Sequence, residues 1–163
     1  MSSRRPGFGR LPKKARPGGF RYTIDASVFL NAFNLQELGH SESQRFLAAL
    51  ETAGDPVIVP TLIVAEIAST IARTYNDRDR ALIHASAIAS LPHLTLVPMN
   101  ETMVMETADI AATYRLRAAD ASYVVVAEKY ATRLISRDRE QLTKGSRVAI
   151  CETPEQALAH LGG

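Results

Sequence analysis

Four carboxylates in this 163-residue chain stand where a polar surface does not account for them. Asp25 closes the short apolar run Tyr22-Thr23-Ile24. Glu66 is the only charge between Pro56 and Arg73, among Leu62, Ile63, Ile67 and Thr70. Asp120 follows Ala118-Ala119 and precedes the apolar stretch 121–126. Asp138 lies in Ser136-Arg137-Asp138-Arg139. Each has an ordinary alternative. Asp25 and Asp120 suit helix N-caps, Glu66 a solvated helix edge, and Asp138 a turn neutralised by Arg137 and Arg139. Glu66 has no cation three or four residues away, so burying it would require a partner from elsewhere in the fold. If the four converge, their charges raise one another's pKa values, and the usual counter-charge is a hard divalent cation. Oxygen-only ligands suit Mg2+ or Mn2+.

The elements that must position these acids follow from periodicity and turn residues. Strands are expected at 22–24, 57–59, 94–97, 133–136 and 148–151. Helices are expected at 26–33, 40–53, 61–75, 78–91, 101–115, 121–130 and 154–161. Short apolar strands alternating with helices predict an α/β three-layer sandwich. Its central, mostly parallel sheet of four to five short strands is flanked by helices. Function in such sheets gathers at the carboxyl ends of the strands, which is where Asp25 and Asp138 fall.

Composition narrows the classes. The chain is 46% hydrophobic and 22% charged, ordinary for a globular domain. Its one cysteine, Cys151, excludes an internal disulfide and a Cys-based zinc site, and fits a cytoplasmic protein. Cys151 reads as a small core residue. The histidines at 40, 84, 93 and 160 lack metal-ligand spacing. No apolar run approaches the roughly 20 residues of a membrane span. The Arg4-Arg5 pair has no apolar segment after it, against an export signal.

The net charge of +2 divides unevenly. Residues 1–20 carry six basic residues and no acid. That leaves 13 of the 19 basic residues against all 17 acids, a body of −4. Residues 1–20, rich in proline and glycine, are expected to be a disordered arm able to draw a polyanion. The folded domain is expected over 21–161. The apolar stretches 30–35 and 83–91 are read as core rather than interface.

Four motifs together resemble the PIN-domain ribonucleases, most closely the VapC-type toxins. They are Ile24-Asp25-Ala26-Ser27, Val59-Pro60-Thr61 with Glu66, Leu116-Arg117-Ala118-Ala119-Asp120-Ala121, and Leu134-Ile135-Ser136-Arg137-Asp138. The segment 153–158 also resembles the family's closing helix. The resemblance implies an Mg2+- or Mn2+-dependent endoribonuclease, with Asp25, Glu66 and Asp120 as core ligands and Asp138 as the fourth. Ser27 and Ser136 match hydroxyl positions beside the metal. The resemblance also implies an RNA substrate, a cognate antitoxin and a homodimer.

Physical chemistry is consistent with that activity. A metal held by these acids would reverse the local charge, acidify a bound water and stabilise charge on the scissile oxygens. Arg117, Arg137 and Arg139 flank the acids and are candidate phosphate contacts. Two other readings compete. A phospho-receiver or phosphatase would want an early acidic pair, where this chain has Asp25 alone. A catalytically silent PIN-like binding module would be expected to lack some of the acids, and all four are present.

Overall fold

The computed structural model describes residues 14, 15 and 19–161. Most of the basic arm therefore lies outside the described residues. The element order is β1 (Tyr22–Ile24), α1 (Ala26–Phe33), α2 (His40–Ala53), β2 (Val57–Pro60), α3 (Leu62–Tyr75), α4 (Arg78–Ala89), β3 (Leu94–Val97), α5 (Glu101–Tyr114), α6 (Ala118–Lys129), β4 (Arg133–Ile135), α7 (Arg139–Gly145), β5 (Ile150–Glu152) and α8 (Pro154–Leu161).

The five strands form one sheet in the order β3-β2-β1-β4-β5, and every pairing is parallel. The sheet is thus wholly rather than mostly parallel. Each strand is only three or four residues long. β1, β2 and β3 are buried throughout, as strands covered on both faces must be. Along β2 the side chains alternate between two apolar clusters. Val57 and Val59 join the main core with Phe29, Phe46, Ile63 and Ile67. Ile58 joins a second cluster with Val97, Met103, Val125 and Val126. Thr23, buried in β1, keeps its hydroxyl satisfied by donating to Ile58 O at 2.8 Å.

The topology locates the functional edge. β1 pairs with β2 on one side and β4 on the other, so chain order reverses at the β1–β4 junction. A parallel sheet opens a crevice at such a point, beyond the carboxyl ends of its strands. Ile24 is in register with Ile135, and Asp25 N–H donates to Ile135 O at 2.9 Å. The segments after β1 and after β4 therefore leave the sheet side by side.

Several boundaries differ from those expected. α7 falls in a stretch read as loop. Its only apolar side chain is Leu142, so it has no hydrophobic stripe to announce it. Pro60 ends β2, and α3 begins at Leu62 rather than at 61. α6 begins at Ala118, which puts Asp120 inside its first turn instead of at the cap. β5 lies two residues later than its expected start and one later than its expected end.

The apolar stretches read as core divide. Ala85, Ile88 and Ala89 are buried, whereas Leu35 and Ile83 are exposed. Cys151 is half-buried against the main core, and burial pushes its thiol up to about 11. No helix among the described residues is long and apolar enough to cross a membrane.

Candidate functional site

Asp25, Glu66, Asp120 and Asp138 line a single cavity of about 220 Å³, together with Ala26, Ser27, Leu30, Thr70, Arg117 and Ala119. Residues separated by more than a hundred positions meet there because three helices and one strand end converge on the β1–β4 junction.

Asp25 follows β1 and is the N-cap of α1, its Oδ2 accepting Ser27 N–H at 2.9 Å. Burial raises its pKa, and Asp120 and Asp138 raise it further, against the lowering effect of the Ser27 hydrogen bond. Glu66 comes from the second turn of α3, whose buried stripe is Ile63, Ile67 and Ile71. That stripe fixes the helix and leaves Glu66 half-buried at the cavity. The partner that Glu66 lacks in its own helix is Tyr123 of α6, whose hydroxyl donates to Oε2 at 2.5 Å. Burial raises the Glu66 pKa, helped by Asp25 and Asp120 and opposed by Tyr123 and Arg117.

Asp120 is buried, and its pKa is raised by that burial against the opposing effect of Arg117. Asp138 is the N-cap of α7, its Oδ1 accepting from Glu140 N at 2.8 Å and Gln141 N at 3.0 Å. The two acids share one guanidinium. Arg117 Nε donates to Asp120 Oδ2 at 2.8 Å, and Nη2 donates to Asp138 Oδ2 at 2.5 Å. These contacts hold Arg117 more firmly charged than usual. The arginine that neutralises Asp138 is thus Arg117, not the neighbouring Arg137 or Arg139.

The remaining candidates separate by role. Ser27 lines the cavity, and its Oγ accepts Arg137 N–H at 3.0 Å. Ser136 is fully buried, and its Oγ accepts Asp138 N–H at 2.9 Å. Both hydroxyls hold the β4–α7 turn. Arg137 does not line the cavity. Its guanidinium donates to Ser43 Oγ at 2.9 Å and Gly39 O at 2.6 Å, and pairs with Glu155 at 2.8 Å. An arginine committed to α2, the turn before it and α8 acts as a clamp of the fold. Arg139 is exposed at the start of α7, outside the cavity lining.

Sequence reasoning singled out neither Tyr123 nor Thr70 for this site. The available signals were spacings: Tyr123 stands one turn after Asp120 and Thr70 one turn after Glu66. Gln141, also unforeseen, is buried and donates to Asp120 O at 3.1 Å.

The donor set is four carboxylates with no sulfur or imidazole, which fits a hard cation such as Mg2+ or Mn2+. Each acid is at present turned to a protein partner. Among the described residues no three such side chains already stand as a ready-made coordination group. The pKa values of three of the acids are raised, chiefly by burial and further by the charge of neighbouring acids.

The PIN domain family model matches residues 22–145, and the chain belongs to the PIN domain family. No curated protein matches the chain in sequence. Solved structures share its fold. Mycobacterium tuberculosis VapC20, described as a Sarcin-Ricin loop cleaving toxin, superposes with a TM-score of 0.66 at 16% identity, over 76% of this chain and 95% of its own. FitAcB from Neisseria gonorrhoeae gives 0.62 at 19% identity, over 82% and 97%. VapBC2 from Rickettsia felis, bound to a promoter DNA fragment, gives 0.60 at 11% identity, over 82% and 98%.

Proposed function

We propose that this protein is a metal-dependent endoribonuclease that hydrolyses RNA phosphodiester bonds, and that it is the toxin of a toxin–antitoxin pair. The observation that carries the reading is the convergence of Asp25, Glu66, Asp120 and Asp138 on one cavity. Asp25, Glu66 and Asp120 would hold Mg2+ or Mn2+, with Asp138 as the fourth acid. The bound ion would offset the cluster's charge, acidify a coordinated water and stabilise the oxygens at the scissile phosphate.

The chain's own residues divide the rest. Ser27 and Ser136 hold the turn that presents Asp138. Arg117, exposed at the cavity mouth, would meet a phosphate once an ion takes over its two carboxylates. Arg139 would contact phosphates further along the strand.

An antitoxin partner is supported by the fold shared with the VapBC2 complex. Exposed Leu35, Leu38, Leu82 and Ile83 offer apolar surface for an antitoxin or a second copy of the chain. A cytoplasmic location fits an RNA substrate and a single cysteine that forms no internal disulfide.

A second reading, a silent PIN-like binding module, draws on Arg117 bridging Asp120 and Asp138. One experiment separates the two. The full chain, purified from its native source with whatever binds it, is incubated with total RNA with and without EDTA, and cleavage sites are mapped. Discrete sites that vanish with EDTA support the nuclease. RNA retained but uncut at millimolar Mg2+ or Mn2+ supports the binding module.

A further inference from the structure

Tyr123 is fully buried in α6, yet its phenol lies against a carboxylate of the cavity. A buried hydroxyl needs a partner, most often a backbone carbonyl. The partner is instead Glu66 Oε2, at 2.5 Å and 57 positions away. Such a bond to a charged acceptor is short and directional. Tyr123 also stands three residues after Asp120 on α6. One hydroxyl therefore ties together the helices that carry Glu66 and Asp120.

We propose that Tyr123 is the positioning residue of this site, its hydroxyl fixing the Glu66 carboxylate in the orientation in which it faces the cavity. The proposal rests on the nuclease reading for its effect on activity, and on geometry alone for its effect on Glu66. Glu66 enters from a helix whose packing stripe is one residue away, at Ile67, and its side chain has three rotatable bonds. Tyr123, held in the core, has almost no freedom of its own. A hydrogen bond from a rigid donor selects one rotamer of a flexible acid, which is how partners outside the ligand set tune a metal ligand.

The test compares Tyr123→Phe with the wild-type full chain in three measurements. Phenylalanine keeps the packing and removes the hydroxyl. Calorimetric titration of the metal-stripped protein with Mn2+ should show roughly 10- to 100-fold weaker binding, and kcat for RNA should fall by a similar factor with KM unchanged. Crystal structures of both metal-free proteins should show Glu66 in one rotamer in the wild type and displaced in the variant. Glu66→Asp keeps both the charge and the phenol but draws the carboxylate short of it, and should lose Mn2+ affinity to the same degree. On a Glu66→Gln background, Tyr123→Phe should cost no further affinity.

Wild-type Mn2+ affinity and kcat in Tyr123→Phe, or an unmoved Glu66 in its crystal structure, would overturn the proposal. If the wild type neither binds Mn2+ nor cuts RNA, the nuclease reading fails, and the crystallographic comparison still decides the role of Tyr123.

Discussion

Asp25 Oδ2 accepts the backbone N–H of Ser27 at 2.9 Å, so the residue that lines the acid cavity also caps the helix it opens. Capping and metal binding had looked like rival explanations of this aspartate. They are compatible, because one carboxylate oxygen satisfies the helix end and a second oxygen remains.

The two roles separate by substitution. Asparagine caps helices as well as aspartate does, so Asp25→Asn keeps the hydrogen bond and removes repulsion from Asp120 and Asp138. Its stability in EDTA should equal or exceed that of the wild type. Asp25→Ala loses the cap and should be about 1 kcal/mol less stable than Asp25→Asn. Urea unfolding of the two variants measures the difference, and equal stabilities would contradict it.

The repulsion should also appear as a pH dependence. A carboxyl whose folded pKa lies above its unfolded value costs stability above the folded pKa and nothing below the unfolded one, about 3.9 for Asp. The Asp25 pKa is raised, chiefly by burial. In EDTA, Asp25→Asn should therefore melt above the wild type at neutral pH. The gap should narrow toward pH 4 as the wild-type carboxyl takes up its proton. Melting curves across this range test it, and a gap independent of pH would contradict it.

Arg117 supplies the counter-charge that Asp120 and Asp138 share. Arg117→Gln should lower the melting temperature in EDTA, because two acids lose their cation. Added Mn2+ should then raise the melting temperature by more than in the wild type, since the ion relieves a larger repulsion and binds the native state. Thermal melts with and without millimolar Mn2+ read both effects. A variant that gains less from Mn2+ than the wild type would show that Arg117 assembles the site instead of competing for it.

Arg137 makes the opposite prediction. Its guanidinium ties Ser43, Gly39 and Glu155 together behind the β4–α7 turn. Arg137→Ala strands these partners and should cost on the order of 1–3 kcal/mol in unfolding free energy. Gly39→Ala should damage the same clamp. Gly39 has φ +81°, and a Cβ there would land on the Arg137 guanidinium. Arg139→Ala, at an exposed position, should leave stability unchanged and reduce the salt dependence of RNA binding. A stable Arg137→Ala with a weakened salt dependence would restore the phosphate role expected from sequence.

These contrasts show what the sequence made legible. Asp25 and Asp138 could be placed at one sheet edge because short apolar runs ended at each, and parallel sheets bring strand ends together. Glu66 stood out because a lone charge among Leu62, Ile63, Ile67 and Thr70 demands a partner. The partner itself could not be read, since Tyr123 is 57 positions away and has the apolar neighbours of an ordinary core residue. Arg137 and Arg117 flank the acids alike in sequence. Only the packing of the turn before α2 and of α8 against the β4 end commits one to the fold and leaves the other at the cavity. α7 escaped notice because it is fastened by its Asp138 cap and buried Gln141 more than by an apolar face.

The central claim is that the converging acids act as one metal-binding catalytic unit. The direct measurement is RNA cleavage by the purified full chain and by Asp120→Asn, each with Mn2+, with EDTA, and with EDTA followed by excess Mn2+. The account predicts wild-type cleavage that stops with EDTA and returns with Mn2+, and none by Asp120→Asn under any condition. Cleavage by Asp120→Asn at the wild-type rate, or wild-type cleavage unaffected by EDTA, would contradict it.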